Sequence, residues 1–134
     1  MSRILLAISE RWVPDLRVDA LAEFARRIGS SIIVVHVVYG AGAESAAPGE
    51  RTLEVIAQRL RTAEISVETL LLFADDFSEA LLKTAAEKKC SMIILGLSAK
   101  ALLTRLLQGD PSQDVIKTSR VPVLLLPPEW DGTW

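Results

Sequence analysis

The residues best placed to do chemistry lie between Gly96 and Asp110. A strand-like run, Met92-Ile93-Ile94-Leu95, ends at Gly96, and Asp110-Pro111 spells a helix start. A segment that leaves the carboxyl end of a buried strand and enters a helix N-terminus is where α/β sheets hold anions. Free backbone N–H groups point at the ligand there, and the helix dipole favours negative charge. The chemistry to test is phosphate binding, and the residues argue against it. Asp110 is a strong N-cap, and Pro111 suits the first helical position, where its missing N–H loses no bond. The Asp110 carboxylate takes the donors that a phosphate needs. A phosphate charge about 4 Å from it is repelled by roughly 4 kcal/mol at an effective dielectric of 20, near a thousandfold in affinity. A divalent cation bridging the two is the escape, since carboxylates are good Mg²⁺ ligands. Leu97 to Gln108 contains no glycine, and seven of its twelve residues are leucine or alanine. That composition reads as a partly helical apolar segment, either a contact surface for a partner or leucines folded back on the core.

Other reactive residues are scattered. His36 is the only histidine and sits inside an apolar run, where a satisfied core residue is the ordinary outcome. Asp75-Asp76 follows a strand, as a receiver-type phosphoacceptor does. A receiver also wants acids after the first strand and a lysine after the last. Those places hold Ser9-Glu10 and Pro127-Pro128, so the acidic pair reads as a turn that caps the next helix. Ser9, Ser98 and Ser112 have no G-x-S-x-G around them and no histidine nearby, which removes the hydrolase reading. Lys100 and Arg105 read as solvated loop cations. No residue is assigned a catalytic role and no metal site is expected, so the chain does not read as an enzyme.

The elements that position these residues alternate. Ile4 to Ile8 is a first strand, and Val13 to Ile28 a first helix with Leu16, Ala20, Phe24 and Ile28 inward, Leu21 and Ala25 beside them and Gly29 at its C-cap. Ile32 to Val38 is the second strand. Tyr39 to Glu50, with three glycines, a proline and four alanines, reads as a mobile loop before a helix over 51–61, whose Leu53, Ile56, Ala57 and Leu60 share a face. Glu64 to Phe73 is a third strand, placed at a sheet edge because Glu68 and Thr69 interrupt it. Ser78 to Lys89 is a helix, Met92 to Leu95 the fourth strand, Pro111 to Ser119 a helix and Val121 to Leu126 the fifth strand. Continuous apolar strands are covered on both faces. Right-handed crossovers between them build a parallel sheet with helices on both sides. Pro122 donates no ladder bond, which puts the fifth strand at an edge. That edge is apolar, and a second subunit is expected to cover it.

The chain has 134 residues, half of them hydrophobic, and a net charge of −2. It is expected to form one domain over residues 1–134. The charge gives no electrostatic case for nucleic acid or an acidic membrane surface. No apolar run reaches the length of a membrane span. The first residues enter a strand and lack the layout of a signal peptide. The single cysteine, Cys90, excludes an internal disulfide and fits a reduced cytoplasmic setting.

Four stretches together resemble the universal stress protein family along the whole chain. They are Ile4 to Ile8, His36-Val37-Val38, Met92 to Gly96, and Arg105-Leu106-Leu107-Gln108-Gly109 followed by a helix and Val121-Pro122-Val123-Leu124-Leu125. The resemblance implies a Rossmann-like α/β domain with a five-stranded parallel sheet of order 3-2-1-4-5. It also implies a role in stress response and a homodimer that pairs fifth strands, with Val121, Val123 and Leu125 at the seam. Family members that bind ATP look like G-x-x-G, a spacer, then G-S or G-T, with an aspartate just after strand one. Gly96 and Gly109 keep that pattern, with Lys100 to Gln108 as spacer. Ala99 replaces the second glycine, Asp110 the hydroxyl residue and Ser9 the aspartate. The expectation is a stress protein of the non-ATP-binding type, without cofactor, acting as a cytoplasmic homodimer through protein contacts. The alternative is an adenine-nucleotide sensor binding ATP with Mg in a crevice lined by Ala7, Ile8, Ser9, Val38, Gly96, Ala99, Gly109 and Asp110. The role of the tail that carries Trp130 and Trp134 is left open, between covering an apolar patch and meeting a partner.

Overall fold

The computed structural model describes residues 2–8, 14–38, 43–96, 115, 117–127 and 129–134, with 43–45 as backbone only. Five strands form one parallel sheet: β1 (Ser2–Ile8), β2 (Ser30–Val38), β3 (Val67–Phe73), β4 (Met92–Gly96) and β5 (Val123–Leu126). Their order is β3-β2-β1-β4-β5, as the resemblance implied. Central β1 pairs with β2 through Leu6 and Val34 and with β4 through Leu6 and Ile94. The chain first moves outward from β1 to β2 to β3, then returns across the sheet to β4 and β5. Right-handed crossovers then put the first helices on one face and the later ones on the other. Accordingly α1 (Asp15–Ile28) and α2 (Ala43–Thr62) pack with Ile4, Leu6, Ile32, Val34 and Ile94, while α3 (Phe77–Glu87) and Val115 pack with Leu5, Ala7, Ile33, Val35 and Ile93. Neighbouring residues of one strand thus enter opposite cores, which is why the strands are continuously apolar.

Helix faces differ from the spacing expectation in one respect. In α1 Val18, Ala20, Leu21, Ala22 and Ala25 are buried and Phe24 packs against the core, so the expected Ala20, Leu21, Phe24 and Ala25 do face inward, while Leu16 is 70% exposed and Ile28 is also exposed. Residues four apart drift about 40° around a helix. A row of three such steps therefore leaves the core face, whereas an i, i+3, i+4, i+7 set stays on it. In α2 the expected Leu53, Ile56, Ala57 and Leu60 are all buried. The loop expectation for Tyr39 to Glu50 is corrected: α2 starts at Ala43 and runs through Pro48. Its first turns are rich in alanine and glutamate, good helix formers that outweigh the proline and glycine. β3 begins at Val67, because α2 ends in a turn at Ala63-Glu64 where the longer strand was expected.

Both sheet edges are where the sequence placed them, β3 on one side and β5 on the other. β5 is four residues long and excludes Pro122, whose carbonyl still accepts from the Ile93 N–H at 2.9 Å. On the α1 face no helix follows β5 among the described residues. The C-terminal tail supplies that cover. Trp130 packs against the core that includes Leu124 and Leu126, and its carbonyl accepts from Arg17 Nε. Trp134 lies 5.0 Å from Phe24 and 4.9 Å from Trp130 between ring centroids, and its Nε1 donates to the Ala20 carbonyl at 2.9 Å. The tail therefore folds back on its own chain and clasps α1 to β5.

Candidate functional site

The carboxyl edge of the sheet carries the candidate site. β1 hands the chain to α1 on one face, and the helical residue Val115, which follows β4, packs on the other. A crevice forms where adjacent strands send their connections to opposite faces, and that is the ligand position of open α/β sheets. Ala7 and Ile8 end β1, Val38 ends β2 and Gly96 ends β4, so these four line three adjacent strands at that edge. Ala7 pairs with Leu95, and Gly96 pairs with Leu126 on the outer side. Ser9, Ala99, Gly109 and Asp110 lie outside the described residues, as do Ser98, Ser112, Lys100, Arg105 and the leucine-rich segment.

Gly96 is outside the left-handed region, and among the described residues an added Cβ would meet nothing within 4 Å.

His36 is only 8% exposed, on the α2 side of the sheet, and its Nδ1 lies 3.1 Å from the Ile8 carbonyl. Nδ1 therefore carries the proton and donates to the last acceptor of β1. The far side of the ring lies against Gly49 of α2, where a Cβ would fall 2.1 Å from Cδ2 and 2.4 Å from Nε2. The sequence identified His36 as a satisfied core residue, and this geometry agrees. It missed Gly49, because a proline-glycine pair signals a loop and the close approach exists only in three dimensions.

Asp76, Asp19, Arg59 and Cys90 are structural. Asp76 caps α3: its carboxylate accepts from the Glu79 N–H at 3.1 Å and from the Ser78 hydroxyl at 2.9 Å. Those two bonds hold it below the usual carboxylate range. The acidic pair is thus a helix cap, as expected. Arg59 of α2 grips Asp19 of α1 through two bonds of 2.7 and 2.8 Å and meets Asp15 at 3.3 Å, which keeps Asp19 below its usual range. Burial pushes the Cys90 thiol up, the condition of an unreactive cysteine. Among the described residues no three His, Cys, Asp or Glu side chains gather as metal ligands, and no helix is long and apolar enough to cross a membrane.

The family model described as the universal stress protein family matches residues 1–127. The chain belongs to the universal stress protein family. A solved universal stress protein from Archaeoglobus fulgidus is 25% identical, with a TM-score of 0.75 over 93% of this chain and 98% of that one. One from the same organism in complex with dAMP is 24% identical, with a TM-score of 0.74 over 93% and 97%. A family member from Arabidopsis thaliana with AMP bound is 13% identical, with a TM-score of 0.68 over 100% and 96%. No curated protein matches the sequence. The universal stress protein fold is therefore common ground between these chains.

Proposed function

We propose that this universal stress protein serves in stress response as a cytoplasmic homodimer that works through protein contacts and does not hold ATP. The observation that carries this reading is the sequence Asp110-Pro111, a helix-start signal that puts a carboxylate where ATP-binding relatives place a hydroxyl residue. The residues do not fit a triphosphate unless a cation bridges it to Asp110. No residue is given a catalytic role.

A second reading, an adenine-nucleotide sensor in the same crevice, is favoured by the retained glycines Gly96 and Gly109, and by the dAMP and AMP held by the two neighbours named above. Purifying the protein without added nucleotide, denaturing it and identifying what is released by mass spectrometry separates the two. The expected result is an empty protein that does not bind added Mg-ATP by calorimetry. Replacing the carboxylate in Asp110→Ser then gains ATP affinity, by a factor that can approach a thousand. Recovered ATP or ADP at near one per chain would establish the sensor reading.

A further inference from the structure

On the α3 face of the sheet, apart from the crevice, lies a groove of about 820 Å³ between α3 and the segment leading into β5. Its apolar surface is Leu82 and Ala86 of α3, with the fully buried Ile93 of β4 beneath them and Val121, expected at the subunit seam, at its border. Its rim is basic. Lys83 and Lys89 stand on the α3 side and Arg120 on the other, against one acid, Glu79, among the described lining residues. Residues 79, 82, 83 and 86 follow i, i+3, i+4, i+7 spacing, so one flank of a single helix gives both floor and rim. None of the three cations has an ion-pair partner among the described residues, while Arg27, Arg59, Arg61 and Lys88 elsewhere do. Unpaired positive charge around an apolar floor, in a chain of net charge −2, is complementary to a ligand with an apolar body and an anionic end. The volume falls within the roughly 300–1,000 Å³ of small-molecule sites. A stable protein partner needs about 800 Å² from each side, a broader surface than one groove.

We propose that this groove binds an amphiphilic anion, with an alkyl chain against Leu82 and Ala86 and a carboxylate or phosphate head held by Lys83, Lys89 and Arg120. The site is independent of what the crevice holds.

Cys90, the one cysteine of the chain, lines the same groove and is buried, so its slow alkylation follows opening of the groove, which a bound ligand opposes. The measurement is the rate at which uncharged N-ethylmaleimide alkylates Cys90 in the full-length folded protein. Dodecanoate below its micelle-forming concentration should slow alkylation at least tenfold at saturation and raise the melting temperature, as a ligand of the folded state does. Dodecyltrimethylammonium, with the same chain and the opposite charge, should do neither. Lys83→Ala combined with Arg120→Ala should raise the half-saturating dodecanoate at least tenfold. Ala86→Trp, which fills the groove from an exposed position, should abolish the protection, and it carries the test if the double variant does not fold. Equal protection by both amphiphiles would overturn the proposal, as would no protection by dodecanoate. Faster alkylation with a lowered melting temperature would overturn it too, by showing a detergent effect. Protection by an acidic peptide and not by dodecanoate would assign the groove to a protein partner instead.

Discussion

Gly49 and His36 form the tightest side-chain constraint at the candidate site. A methyl group at position 49 would overlap the imidazole at 2.1 Å, so either the ring or α2 must move. Alanine is intrinsically better than glycine in a helix by about 1 kcal/mol, yet overpacking costs typically about 1–3 kcal/mol. We expect Gly49→Ala to lower unfolding stability by roughly 1–2 kcal/mol, and the same change in a His36→Ala background to be neutral or stabilising. Urea denaturation of the four proteins checks the cycle; equal effects in both backgrounds would mean that the ring does not set the constraint. The left-handed positions at the helix ends make a complementary case. α1 ends on Gly29 with φ 65°, whereas α2 and α3 reach the same conformation at Glu64, φ 66°, and Lys89, φ 54°. Both close the same motif. Ile65 N–H bonds the Leu60 carbonyl and Glu64 N–H that of Arg61, and Cys90 and Lys89 bond Ala85 and Ala86 likewise. Glycine is the residue this motif prefers, because a Cβ is crowded there. Glu64→Gly should therefore stabilise the protein by about 0.5–1 kcal/mol, after allowing for the extra freedom of glycine in the unfolded chain. A lower urea midpoint for this variant would refute it.

At the scale of elements, α3 shows a cap whose contribution depends on pH. The Glu79 N–H and the Ser78 hydroxyl hold the Asp76 carboxyl below its usual range. A carboxyl with a depressed folded pKa stabilises fully above its unfolded value, about 3.9, and loses that contribution as pH falls through the folded value. Asp76→Ala should lower the melting temperature at neutral pH by roughly 2–6 °C. Asp76→Asn, which keeps a capping oxygen, should lower it less. Asp19 and Asp131 also sit below their usual range, so the informative quantity is the difference between wild type and variant. That difference should shrink between about pH 5 and pH 3; a gap that stays constant would rule out the ionised cap. This cap was legible in the sequence because Asp76-Phe77-Ser78-Glu79 has an acceptor just ahead of a helical pattern. So was the inner face of α2 from Leu53 to Leu60. The inner face of α1 was less so, because a four-residue row looks continuous in sequence and drifts in space. The start of α2 was not legible, because proline and glycine dominate a local reading while the packing of Gly49 on His36 is a tertiary contact. Nor did sequence decide the tail, whose two tryptophans find Phe24 and the exposed end of a core more than a hundred residues away.

For the whole molecule, the alternation of apolar runs with helices, read with the family resemblance, was enough to place five strands in order, because crossover handedness leaves few arrangements. The crevice followed from that topology, and Ala7, Ile8, Val38 and Gly96 stand at it. The groove beside α3 was not legible, since it joins Leu82 and Lys83 to Arg120 and Val121, which are distant in sequence and meet only in the fold. The same topology leaves β5 at an edge, with its outer backbone groups unpaired among the described residues. Val121 and Val123 pack on the α3 face, and Leu125, the next residue of that row, is 37% exposed. An apolar strand edge in water templates pairing with another chain. The opposite edge has a different character: Glu68 of β3 is bonded to Lys88 at 2.8 Å, a charged pair that discourages strand addition. The two edges are thus unequal, and a closed two-fold pairing through β5 satisfies the apolar one without leaving a second β5 edge to propagate a fibre. We expect the protein to sediment as a dimer at micromolar concentration. Leu125→Lys should weaken the dimer at least tenfold, whereas Phe73→Lys, at an exposed position on β3, should leave it unchanged. Analytical ultracentrifugation across a dilution series measures both. A stable monomer for the unmodified protein, or a dimer lost in Phe73→Lys and kept in Leu125→Lys, would move the interface away from β5.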